Sequence, residues 1–285
     1  MDDVALVVTG KTSEETHKKA CAFMQREGGA MAWSKSHNSA FSVDKFGLLN
    51  CARVKPGLRP ALDLGGTVIE PFNHQHFLGV LLDRCLRFHQ HVALAVARGS
   101  AWTALIRRLA RMQHGLQMEE VRRLYMSVAI PSMLYAVDVF LVPVQTRVGG
   151  GQEYGSVGAV KKLTQIHCQA LLVMTGAMRS TATDVLEAHA HVLPFRLLMD
   201  QLCQRSVVRL CTLLPSHPLH PHILRASWHY VKSHRAPLHE LMYTYRATAS
   251  PVGMEKVQAT QRHPCWCPPH VTKITSSKDV SLDQQ

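Results

Sequence analysis

The chain opens on an unbroken apolar run, Val4 to Val8, stopped by Thr9-Gly10. A short β-prone run of this kind predicts a buried strand. The period then changes. Thr12 followed by Glu15 makes a capping box. Ala20, Phe23 and Met24 give the predicted helix its apolar face, and Gly28-Gly29 ends it. Phe46 to Cys51 predicts a second strand, and Lys55-Pro56-Gly57 a basic turn. Leu62 and Leu64, then Val68 and Ile69, flank Gly65-Gly66 and predict a β-hairpin. Phe77 to Leu82 predicts a further strand, ended by Asp83.

From about His89 the pattern turns helical. One helix is expected through Val92, Val96, Trp102, Leu105 and Leu109. A second is expected through Val121, Leu124, Tyr125 and Val128, with Pro131 kinking or restarting it. Gly149-Gly150-Gly151, with Gly155 and Gly158, reads as a linker. Helices resume near Val160 and run with breaks to Leu214; Pro215, Pro218 and Pro221 punctuate the exit. One more helix is expected from His222 to Tyr245, and disorder from Arg246 onward. The predicted fold is therefore α+β over residues 1–88, then helical over 89–148, a linker over 149–159, helical again over 160–245, and a tail over 246–285.

Composition adds a charge sign. The 285 residues hold 32 Lys+Arg against 20 Asp+Glu, a formal +12, which suits a polyanion such as nucleic acid or an anionic membrane surface. The eight Cys come without a signal-peptide pattern, so reduced thiols in a nuclear or cytoplasmic protein are expected. Val128 to Val144 contains Pro131, Asp138 and Pro143 and is rejected as a membrane span, so no membrane partner is expected.

Six stretches carry candidate chemistry. Asp2-Asp3 stands directly before Val4-Ala5-Leu6-Val7-Val8. His37-Asn38-Ser39 leads to Lys45-Phe46-Gly47-Leu48-Leu49. His76-Phe77-Leu78-Gly79-Val80-Leu81-Leu82-Asp83 follows, and then Gly155 to Gly158, Thr175 to Thr181 and Leu193-Pro194. In this order, over residues 1–224, the chain resembles the C-terminal part of a reverse transcriptase (RNA-directed DNA polymerase) of a non-LTR retrotransposon. Met1 stands where that family has a variable residue, and the aromatic residue before it is absent.

The resemblance implies a partial polymerase palm with a primer-grip hairpin, a helical thumb and a helical region beyond it. It implies that Asp2 and Asp3 are catalytic and hold Mg²⁺, since hard carboxylate oxygens suit that ion in two-metal nucleotidyl transfer. It gives Lys45 the role of protonating pyrophosphate; Lys45 reads equally as a solvated loop residue. Phe77, Leu78 and Gly79 would hold the primer. Arg98, Arg107, Arg108 and Arg111, with Arg122 and Arg123, would follow the backbone of an RNA or RNA–DNA duplex, or else form a solvated face paired in part by Glu119 and Glu120. The family's fingers and upstream metal-binding Asp would precede residue 1, so these residues alone are expected to be inactive as a polymerase. The incomplete palm sheet would offer an edge to another chain.

Three other readings remain open at this stage: a nucleic-acid-binding module without chemistry, a retroelement relic without selected function, and a helical scaffold. His263-Pro264-Cys265-Trp266-Cys267-Pro268-Pro269-His270 is too compressed for an ordinary zinc site. Most of the 18 His are expected on the surface, and Cys203 and Cys211 in the core of one helix.

Overall fold

The computed structural model describes residues 4–38, 41–42, 45–51, 60–64, 66–110, 115–146, 151–228, 237–246 and 249–257. It is mixed helix and strand, with short two-stranded sheets and a predominance of helix. Helix α1 (Ser13–Gln25) starts where Thr12 Oγ1 accepts from the Glu15 amide at 3.2 Å. Glu15 does not complete the box; its carboxylate accepts from the Lys11 amide and pairs with Lys19 at 2.6 Å. Helix α2 (Ala30–Ser36) follows, and neither α1 nor α2 has a fully buried residue.

The strand expected over Val4 to Val8 does not form. Val4 is 77% and Val7 84% exposed, in a segment without regular structure. A lone run cannot become a strand, because its amides and carbonyls need a paired neighbour; no described strand pairs with it.

The strand expected at Phe46 to Cys51 contracts to β1 (Leu48–Leu49), paired in parallel with β4 (Pro71–Phe72). The hairpin around the glycine pair is present as β2 (Leu62–Asp63) and β3 (Val68–Ile69), in the register Leu62↔Ile69. The single strand expected over Phe77 to Leu82 is instead a turn between two strands. Strands β5 (His74–Phe77) and β6 (Val80–Asp83) pair antiparallel, His74 opposite Asp83 and Phe77 opposite Val80. Leu78 and Gly79, both at positive φ (47° and 77°), make the two-residue connection. That left-handed pair matches the twist of antiparallel strands, which is why an apolar run could bend here.

The helical body begins with α3 (His89–Leu109). Helix α4 (Met118–Leu124) runs into a wider turn over Tyr125–Ala129 and then α5 (Ile130–Met133). The Ile130 amide donates to the Tyr125 carbonyl five residues back. Pro131 explains the widening: its ring crowds the carbonyl four residues earlier, and a looser turn relieves the clash without ending the helix. Helix α6 (Val137–Phe140), a hairpin of β7 (Gln145–Thr146) and β8 (Glu153–Tyr154), and helices α7 (Val157–Thr175), α8 (Thr183–His189) and α9 (Phe195–Cys211) follow.

The two helical regions expected on either side of the glycine stretch share one core. It runs from Val80 to Ala249 and includes Ile106, Tyr125, Leu163, Met199 and Leu241. Gly99 permits the closest approach of α3: a Cβ there would stand 2.7 Å from Met133 Sδ and 2.9 Å from Ile166 Cγ2. On α9, Phe195, Leu198, Met199, Cys203, Val207 and Cys211 are buried at helical spacing, as expected of core thiols.

The single helix expected over His222 to Tyr245 is replaced, among the described residues, by α10 (His220–Trp228) and α11 (Pro237–Thr244). Nor is the whole tail loose. Ala249 is buried, the Val257 amide donates to the Thr212 carbonyl at 2.8 Å, and Lys256 Nζ reaches the Cys211 carbonyl at 2.7 Å. These contacts cap the C-terminal carbonyls of α9, which need partners. The Cys/His cluster at 263–270 lies outside the described residues.

Candidate nucleic-acid interface

The hairpin of β5 and β6 stands on the start of α3, and specific polar contacts seat it. The Leu81 amide donates to His91 Nδ1 at 3.1 Å. His91 is 1% exposed, its ring lies edge-on to Phe140 at 4.5 Å, and its other nitrogen bonds to the backbone of Tyr135. Burial lowers its pKa, and the nearby Arg98 charge acts in the same direction. The ring therefore stands neutral, Nδ1 accepting and Nε2 carrying the proton.

At the tip, Tyr135 Oη donates to the Leu78 carbonyl at 3.0 Å. A Cβ on Gly79 would come within 3.1 Å of the Tyr135 ring, and Gly79 holds φ +77°, so glycine is required there for both reasons. Leu78 is 52% exposed. A leucine with positive φ costs about 1–2 kcal/mol, and the Tyr135 hydroxyl supplies an offsetting contact.

Asp83 organises the step from hairpin to helix. Its carboxylate accepts from the amides of Cys85 at 2.9 Å, Arg87 at 3.1 Å and Phe88. Leu86 and Phe88 hold positive φ in this loop, and the Phe88 ring is buried. A carboxylate collecting amides before a helix also faces the positive end of its dipole.

The arginines expected to form one duplex-following face have separate fates. Arg122 donates from Nε and Nη2 to the His191 carbonyl at 3.1 and 3.0 Å, which ties α4 to the turn after α8. Arg123 pairs with Glu119 at 3.2 Å. Arg98, Arg107 and Arg108 have no carboxylate partner among the described residues. They do not share one stripe: at about 100° per residue, Arg107 falls on the opposite side of α3 from Arg98. Arg98 lies on the same side of α3 as His91, two turns further along, and Arg107 faces α7. Arg111 lies outside the described residues.

Asp2 and Asp3 also lie outside the described residues, and Lys45 is exposed in a short turn before β1. Among the described residues no group of three or more His, Cys, Asp or Glu could hold a metal. Asp63 accepts from the Gly66 amide and Asp83 from its loop, so both are engaged in backbone turns rather than gathered about a common point. The described residues thus add no ligand to the acid pair, and Mg²⁺ rests on the resemblance alone.

Besides His91, a second histidine lies in the core rather than on the surface expected for most of the histidines. His167 is fully buried, with Nδ1 2.8 Å from Tyr125 Oη and Nε2 3.6 Å from Glu187 Oε1. Burial pushes His167 down to about 4 and raises Tyr125 and Glu187. No spacing rule separates this histidine from the surface ones; only the helical register of α7 places it among Leu163, Ile166, Ala170 and Leu171.

No protein-family model, curated protein or solved structure matches this chain.

Proposed function

We propose that the chain is the palm-to-thumb part of a reverse transcriptase of the non-LTR retrotransposon class, and that it holds an RNA or RNA–DNA duplex through the β5–β6 hairpin and Arg98 of α3. The observation that carries this reading is the seating of the hairpin: an exposed Leu78-Gly79 tip held by Tyr135 and a β6 strand held through Leu81 by His91, with Arg98 on the same side of α3 as His91 and without a carboxylate partner among the described residues. An exposed tip and a guanidinium on the same side of α3 suit a strand end and its phosphates. The formal +12 charge supplies the long-range attraction.

The same surface also supports a binding module without chemistry, and the two readings separate on Asp2 and Asp3. Hybrid binding should survive Asp2→Ala in either case. Templated primer extension that requires Asp2 belongs to the polymerase reading alone and would overturn the expectation that these residues are inactive by themselves. Fluorescence anisotropy with a labelled RNA–DNA hybrid tests the binding; Arg98→Gln should weaken it. Equal affinity for the variant and the parent would remove the hairpin surface from the interface.

A further inference from the structure

We infer that a second backbone-phosphate site lies on the opposite side of α3 from the hairpin, in the depression where the last turn of α3 meets α7. The inference rests on the nucleic-acid reading above and adds a contact to it. The depression is lined by Arg107, Gln169, Leu172, Val173 and Arg179. Gln169, Leu172 and Val173 stand at i, i+3 and i+4 and so share one face of α7. Arg179 reaches the same place from the loop beyond. Gly176, at φ +65°, ends α7, and the Thr181 amide closes a turn onto the Met178 carbonyl around Arg179.

None of the lining residues is acidic, and neither arginine pairs with a carboxylate among the described residues. Two guanidinium groups facing one hollow repel each other unless an anion lies between them. Arg presents a planar fork that fits phosphate oxygens, and the Gln169 amide adds a donor. Leu172 and Val173 give an apolar floor against which the sugar of a nucleotide unit can rest. The chemistry is that of a phosphodiester bound between two forks, about 14 Å along α3 from Arg98 at 1.5 Å per residue.

The test is anisotropy with a labelled RNA–DNA hybrid across a salt series, comparing the full chain with Arg107→Gln, Arg179→Gln and a control, Arg205→Gln, an exposed α9 residue outside the depression. Each depression variant should flatten the log K against log salt slope by about one and weaken low-salt binding about two- to fivefold. The control should do less on both counts. Parent binding unchanged by Arg179→Gln, or changed equally by Arg205→Gln, overturns this site and leaves the hairpin reading standing. Absence of binding by the parent chain removes the reading itself. Titration with inorganic phosphate alone should not saturate. Saturation that Arg179→Gln abolishes, with hybrid binding unaffected, would make this a free-phosphate site and overturn the assignment.

Discussion

His167 and Leu78 are the two residues whose surroundings set the most direct tests. His167 is held neutral by burial, with its ordinary value of 6.5 lowered to about 4. The unfolded chain takes up that proton first as pH falls, so the contribution of His167 is complete above about 6.5 and is lost as pH falls toward 4. At about 1.4 kcal/mol per unit this amounts to about 3 kcal/mol. Glu187, raised by the same burial, works in the opposite direction and reduces the loss. Thermal melts between pH 7 and 5 should show falling Tm, and His167→Gln should flatten that slope. An unchanged slope in the variant would assign the acid sensitivity elsewhere. Leu78, at φ 47° with an exposed side chain, sits where Asn is the better turn residue. Leu78→Asn should raise stability by about 1 kcal/mol while weakening hybrid binding. A gain in both would show that the leucine serves neither the turn nor the ligand.

At the scale of elements, periodicity and punctuation carried most of the reading. The capped helix at Thr12, the glycine hairpin, the long helix through Trp102 and the α7 and α9 helices were all legible, because each is announced by a 3.6-residue apolar repeat or a turn pair. The errors have physical causes. Val4 to Val8 has strand composition but no neighbour to pair with. Leu78-Gly79 makes a turn without the usual Asn or Asp, so the run looked continuous. The candidate interface was half legible. Its tip residues and arginines could be named from the chain, but Tyr135 and His91, which hold the hairpin in place, join it only through contacts made on folding. Asp83 gives the element-scale prediction. Asp83→Ala leaves the Cys85, Arg87 and Phe88 amides without their acceptor and should destabilise the fold by about 2 kcal/mol, read by urea denaturation. An unchanged midpoint would show that water replaces the carboxylate at no cost.

At the scale of the whole molecule, burial is uneven. The core runs through α3 to α11, while α1 and α2 have no fully buried residue. Local stability follows buried apolar contact, so amides of α1 and α2 should exchange well before those of α7 and α9. Equal protection would mean that the N-terminal helices are held by contacts outside this core. Among the described residues no helix is long and apolar enough to cross a membrane, and the surplus of positive charge is available to a polyanion. In the proposed reading the arginines of α3 present that charge to nucleic acid beside the hairpin. The salt dependence of binding to an RNA–DNA hybrid decides it. Two to four phosphate contacts predict a slope of log K against log salt of roughly −2 to −4. No measurable binding at low salt, or binding whose slope is near zero, would contradict it.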